Sequence, residues 1–176
     1  TIDEFAVIII SDTSPITNLA GINQLNLLHR LYGSVIIPVA VYNEMVGIGK
    51  IVPGTVEVQT LSWIKTQAVS DRQQVVILQE SQETIDLGEA EAIVLALEMD
   101  ADLLLMDERR GRSVAQELGL TIVGLLGILV QAKKSNLIPA VKPLMDQLIE
   151  KMDFRISSQL YHAILQATDE ESGSGN

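Results

Sequence analysis

Short β-branched runs alternate with helical spacings along most of this chain, and that alternation leaves few architectures open. Phe5 to Ile10 reads as a buried strand running into the polar stretch Ser11-Asp12-Thr13-Ser14. Further strands are expected at Val35 to Ile37, Trp63 to Val69, Asp102 to Met106 and Leu120 to Val123. A helix should start at Ser14-Pro15, with serine as its cap and proline, which has no N–H to leave unsatisfied, at its first position. Others are expected at Asn23 to Leu31, stopped by Gly33, and from Pro38 through Tyr42, Glu44 and Met45 to the glycines of Gly47-Ile48-Gly49. Lys50 to Ser62 reads as a loop around Pro53-Gly54 with one helical turn at most. Asp71 to Gln82 fits a helix with Val75, Val76 and Leu78 inward, followed by helices at Ser113 to Leu118, Leu125 to Lys134, Ala140 to Met152 and Ser157 to Thr168. Leu87 to Met99 is a helix apolar on nearly every side, and such a helix is buried. The pattern predicts an α/β fold, a three-layer sandwich whose central parallel sheet is covered on both faces. Working sites in such folds lie outside the carboxyl ends of the strands, where Asp12 and Asp107 stand.

With 176 residues, 47% of them apolar, the chain has material for one substantial core and too little for two comfortable domains. One domain over 1–169 is expected, with a polar Gly/Ser tail over 170–176. The absence of cysteine excludes disulfides and thiolate metal sites. The longest apolar stretches fall far short of the roughly 20 residues of a membrane helix. No basic-then-apolar leader opens the sequence, so it reads as cytoplasmic. The formal charge of −11 argues against broad electrostatic capture of nucleic acid. Local charge matters more than net charge, and Arg109, Arg110 and Arg112 follow Asp107 directly, as candidates for contact with phosphates.

The acids carry the chemistry. Ser14 already supplies a helix cap, which leaves the Asp12 carboxylate free for another role. Asp86-Leu87-Gly88-Glu89 has the form of a capping box, which accounts for Glu89 structurally. Glu91 lies roughly 200° around the helix from Glu89, at about 100° per residue. It falls on the apolar side of Leu87, Val94 and Leu95, where an ionised carboxylate needs a partner or a metal. Glu44 by itself is an ordinary helix acid, and Asp107 by itself could cap a helix or pair with Arg110 or Arg112. Carboxylates converging on one cleft repel one another and stay charged only with cations among them. Oxygen-only ligands favour Mg2+ or Mn2+, and the natural chemistry of such ions is phosphodiester hydrolysis.

These residues resemble the PIN-domain family, in particular a branch related to the VapC toxins of prokaryotic toxin–antitoxin pairs. The resemblance covers most of the chain. It is carried by Ser11-Asp12-Thr13-Ser14-Pro15, Val41-Tyr42-Asn43-Glu44, Gly88-Glu89-Ala90-Glu91-Ala92-Ile93, and Leu105-Met106-Asp107-Glu108 with Gly111-Arg112 behind it. It implies a Rossmann-like sandwich and an endoribonuclease using Mg2+ or Mn2+, commonly a homodimer inhibited by a cognate antitoxin. It also implies that Asp12, Glu44, Glu91 and Asp107 hold the metal directly or through water, assisted by hydrogen bonds from Thr13 or Ser14. More typical toxins carry an aspartate at the third acidic place, so glutamate departs from the pattern there and Glu89 stands as the alternative to Glu91. The two helices over 139–169 extend past the compact toxin core.

Rival enzymes fit less well. A haloacid-dehalogenase-type phosphatase needs a second aspartate two residues after the first, where this chain has Ser14. In a P-loop, a serine or threonine would follow Gly49-Lys50, and here Ile51 does. His29 and His162, the two histidines, are expected at the surface or an interface, with no third partner at metal spacing. The rival from another class is a catalytically silent PIN-like module that binds protein or RNA. The two differ in whether the carboxylates of Asp12, Glu44, Glu91 and Asp107 face one cleft.

Overall fold

Five short strands, β1 (Ile9–Ser11), β2 (Val35–Pro38), β3 (Ile64–Gln67), β4 (Leu103–Leu105) and β5 (Ile122–Val123), pair in parallel in the order β3-β2-β1-β4-β5 in a computed structural model of the chain. The structure describes residues 6–47, 49, 51–81 and 84–171. Because strand side chains alternate in direction, the sheet feeds two separate cores. Ile9, Ile37 and Leu105 point into one, packed by Ile16 and Leu19 of α1 (Thr13–Gly21), Ile128 and Leu129 of α8 (Leu125–Lys134) and Met145 of α9 (Lys142–Met152). Ile10, Leu104 and Met106 point into the other, packed by Val75 of α5 (Arg72–Ser81), Ile93 and Leu95 of α6 (Leu87–Glu98) and Val114 of α7 (Arg109–Glu117). The result is the expected three-layer α/β/α sandwich. Strand order reverses at β1, whose neighbours are β2 and β4, so a crevice opens between the ends of β1 and β4.

Several boundaries differ from the sequence expectation for local reasons. α1 begins at Thr13, not at Ser14-Pro15; Asp12 occupies the cap position with extended backbone, and Pro15 sits in the first turn, where its missing N–H leaves nothing unpaired. α2 is the shorter Asn26–Tyr32, ended by Gly33 at φ 81°. α3 (Val39–Val46) starts after Pro38 as expected. The stretch expected as a loop contains α4 (Thr55–Thr60), launched by Gly54 at φ 96°. In α5 Val75 and Leu78 face inward, but Val76 lies about 100° further round and is 47% exposed. α7 starts at Arg109, four residues before the expected Ser113, and carries Gly111 within the helix. A Cβ at Gly111 would come within 2.6 Å of Met106 Sδ, so the glycine lets α7 lie close to the sheet. α10 (Ser158–Ala167) is capped by the Ser157 hydroxyl, which accepts from Leu160 N–H at 3.1 Å. Phe5, Ile48, Lys50 and Gln82, and residues 172–176 of the expected tail, lie outside the described residues.

Glu170, assigned from sequence to the tail, is part of the fold. Its carboxylate accepts the N–H groups of Val141 and Lys142 at 2.9 Å each, satisfying the open N-terminus of α9, and pairs with Lys133 at 3.2 Å. Burial pushes the carboxyl up, but the Lys142 N–H, Thr168, the Val141 N–H and Lys133 outweigh it and hold the group at about 2. A depressed carboxyl contributes stability above its unfolded value near 4.5 and loses it as the pH falls towards 2. Glu170→Ala should therefore cost about 1–3 kcal/mol at neutral pH, the scale of orphaned buried donors. Thermal melts at pH 7 and pH 3 should show the gap between native and variant shrinking in acid; an equal gap at both pH values would contradict this account.

Candidate metal centre at the sheet switch point

Asp12 reaches the crevice because β1 ends there. Its N–H continues the ladder to the Leu105 carbonyl at 2.9 Å, and its side chain, 5% exposed, makes no helix-capping bond. Glu89 arrives from the first turn of α6. The capping box is present: Asp86 accepts from the Glu89 N–H at 2.8 Å, and Glu89 Oε2 accepts from the Asp86 N–H at 3.0 Å. Glu44 arrives from α3, exposed, with Oε2 accepting from the Thr13 hydroxyl at 2.8 Å. Gly88 makes room for it, since a Cβ there would stand 3.1 Å from Glu44 Oε2. Asp12, Glu44, Asp86, Glu89 and Glu108 line one cleft of about 290 Å³ with Thr13, Ser14, Thr17 and Asn18.

The remaining predicted residues divide. Asp107 follows β4 and looks into the neighbouring groove. Its Oδ1 accepts from the N–H of Leu125, the first residue of α8, at 2.8 Å, and its Oδ2 from the Ser14 hydroxyl at 3.4 Å. Ser14 thereby links the groove to the acidic cleft, and Asn18, one turn on, holds Ser14 through bonds of 3.0 Å to its carbonyl and hydroxyl oxygens. Glu91 does not line the cleft. Its Oε1 accepts from the Ala40 N–H at 3.0 Å, in the first turn of α3, and its Oε2 pairs with Arg72 at 2.8 Å. The buried acid on the apolar side of α6 has its partner, and that partner is not a shared metal pocket. Arg109 and Arg110 are exposed, whereas Arg112 is half-buried and lines the groove with Asp107. His29 and His162 are exposed and line neither cavity.

Burial, the Glu89 charge and the more distant Asp86 and Glu44 push the Asp12 carboxyl up to about 7, although the Thr13 N–H works the other way. Glu89 is likewise raised to about 7, by burial first and then by Asp86, Glu108 and Glu44, against the stabilising Asp86 N–H. Asp107 is raised by burial, with the Leu125 N–H, Arg112 and Ser14 offsetting part of it. Among the described residues neither Asp12 nor Glu89 has a basic partner.

Whether such a site suits a divalent cation turns on its donors and its unmet needs. The donors are hard oxygens, the type Mg2+ and Mn2+ take. Two buried carboxylates lack a counter-charge, and the buried Thr17 hydroxyl on the same cleft finds no hydrogen-bond partner among the described residues. Buried polar atoms of this kind are usually satisfied by ordered water, which a hydrated cation brings. Among the described residues no three acids are drawn tightly enough to form a ready ligand group, so the acids surround the cleft without having closed on its centre.

An acid-lined cleft at the switch point of a parallel α/β/α sheet belongs to a nuclease-like fold. A family model for the PIN domain matches residues 8–170, and the chain belongs to that family, whose members are generally nucleases and typically use divalent metals. No curated protein matches the chain. No helix among the described residues is long and apolar enough to cross a membrane.

Proposed function

We propose that this protein is an endoribonuclease that hydrolyses RNA phosphodiester bonds with Mg2+ or Mn2+ held by Asp12, Glu44 and Glu89, and by Asp107 from the side of the groove. The observation that carries the reading is the pair of buried carboxylates, Asp12 and Glu89, that line one cleft at the sheet switch point with no basic partner among the described residues. Glu89 takes the third place in preference to Glu91, whose oxygens are committed to Ala40 and Arg72. The cations would supply a water of lowered pKa and charge stabilisation for the leaving oxygen. Thr13 and Ser14 orient Glu44 and Asp107 through their hydroxyls. Arg112 lies beside the acids, and Arg109 and Arg110 on the open face of α7 are placed to meet flanking phosphates.

Incubation of a panel of single-stranded and structured RNAs with the protein plus Mg2+, Mn2+ or chelator tests the reading directly. Metal-dependent internal cleavage is the expected result. A net charge of −11 and acids that stand apart favour a second reading, a catalytically silent module that binds RNA or protein. Intact RNA under every condition, with no heat of Mn2+ binding by calorimetry, would leave that second reading in possession.

The resemblance to VapC toxins extends the proposal to a cytoplasmic homodimer whose activity a cognate antitoxin restrains. Light scattering of the purified protein, and co-purification with the product of the adjacent gene, test the two parts separately.

A further inference from the structure

Beside the acidic cleft lies a larger groove of about 880 Å³, and the two share Ser14, Asn18 and Glu108. It is lined by residues of α1, α7, β5 and α8 and by the C-terminal helices with the connection between them. The connection between α9 and α10 is fixed at both ends. Asp153 ends α9 in the left-handed region at φ 56°, and the Phe154 N–H turns back to the Leu148 carbonyl at 3.1 Å. Ser157 then caps α10. Between these anchors Phe154, half-buried, and Arg155, exposed, line the groove, as does Arg112. At Gly124 the absent side chain leaves room for the Arg112 guanidinium, and a Cβ there would stand 3.0 Å from Asp107 Oδ1.

We infer that this groove is a subsite for one unpaired nucleotide flanking the scissile phosphate, with its base against Phe154 and Leu160 and its phosphate between Arg112 and Arg155. The inference rests on the ribonuclease reading. Three observations carry it: the groove is continuous with the acidic cleft, it gathers two arginines in a chain of net charge −11, and it sets an aromatic face among apolar side chains. Asp107, Glu108 and Asp153 also line the groove and repel a phosphate, which leaves Arg112 and Arg155 as the groups that would hold it. Only an unpaired base can reach such a ring, because bases of a duplex are stacked on one another. The C-terminal helices thus acquire a role: they build the wall that selects single-stranded substrate.

Two measurements test this. In steady-state cleavage of a single-stranded RNA, Phe154→Leu keeps the apolar bulk and should raise KM about tenfold, within the range that loss of one base–aromatic stack produces, with kcat little changed. Phe154→Tyr should restore KM, and Arg155→Ala should raise it. Independently, a 4-thiouridine RNA irradiated with the Asp12→Asn protein should form adducts in the peptide spanning residues 152–160. If native protein cleaves RNA while the Phe154 and Arg155 variants keep native KM and adducts map elsewhere, the subsite is overturned and the nuclease stands. If no RNA is cleaved but adducts form at Phe154, the nuclease reading fails and with it the subsite's place beside a scissile phosphate, and the groove is an RNA-binding site only. A groove that gives no adduct and is protected by a bound protein segment would overturn the nucleotide in favour of a peptide.

Discussion

Asp12→Asn should yield a protein that has lost more than about a hundredfold of its metal-dependent cleavage, given that outer-shell partners alone are worth about 10- to 100-fold, and that without metal is more stable than the native chain. The two effects share one cause. Asp12 is 5% exposed, flanked by other acids and, among the described residues, paired with no basic side chain. Its carboxyl is raised from 3.8 to about 7, chiefly by burial. A raised carboxyl contributes stability that is full below its unfolded value and lost as the pH climbs through about 7, so the metal-free native protein weakens between pH 4 and 7. Asparagine has nearly the same shape and no charge to bury. Three pH units correspond to an upper bound on the order of 4 kcal/mol, and with relaxation of the site about 2 kcal/mol is a fair expectation at pH 8.

For a chain of this length that is a rise of roughly 4–8 °C in the melting temperature. Melts in chelator should show the full gain at pH 8 and well under half of it at pH 5. Added Mn2+ should reverse the order at pH 8, because only the native protein gains binding energy from the cation. An Asp12→Asn protein less stable than native at pH 8 in chelator would mean that the carboxylate is held by the fold for structural reasons, and the metal centre would lose its main support.

Features set by neighbours in sequence were legible before the structure; features set by distant neighbours were not. The Asp86–Glu89 capping box and the bounds of α8 follow from local chemistry, and both stand as expected. The start of α1 was misread because Ser14-Pro15 satisfies the rule for a cap and first turn, yet proline is equally comfortable two residues further in. The early start of α7 is not legible locally, because the residue that Gly111 packs against, Met106, comes from the end of β4. The choice between Glu89 and Glu91 was beyond local reading altogether. Helical geometry puts them on different sides of α6, but which side opens on the cleft depends on Ala40, 51 residues away, and on Arg72, 19 residues away. The capping role accounts for Glu89 structurally without using it up, since a carboxylate has acceptor capacity beyond one N–H. Asn18, Phe154 and Arg155 carried no motif; their placement comes from the packing of α1 and the C-terminal helices around one groove.

Glu89→Gln and Glu91→Gln should have opposite consequences, and the pair decides which glutamate serves the cleft. The amide of Glu89→Gln can still accept the Asp86 N–H, so α6 keeps its cap and the protein folds. What it loses is negative charge inside the cleft; calorimetric Mn2+ affinity and cleavage should both fall by at least about tenfold, with metal-free stability at pH 8 unchanged or improved. Glu91 sits between α6 and α3, the two helices that carry Glu89 and Glu44. Its partner Arg72 is 56% exposed, so the ion pair itself contributes only about 0–1 kcal/mol. The larger part is the bond to the Ala40 N–H, an open donor of the first turn of α3 that would otherwise be orphaned. Glu91→Gln preserves that acceptor and should bind Mn2+ like the native protein, whereas Glu91→Ala should lose about 1–3 kcal/mol of stability. Loss of Mn2+ binding in folded Glu91→Gln, with native binding in Glu89→Gln, would reverse the assignment and place the third ligand on the other side of α6. Should both bind natively, the carboxylates of α6 are scaffolding alone, and Asp12, Glu44 and Asp107 would have to hold the cation without them.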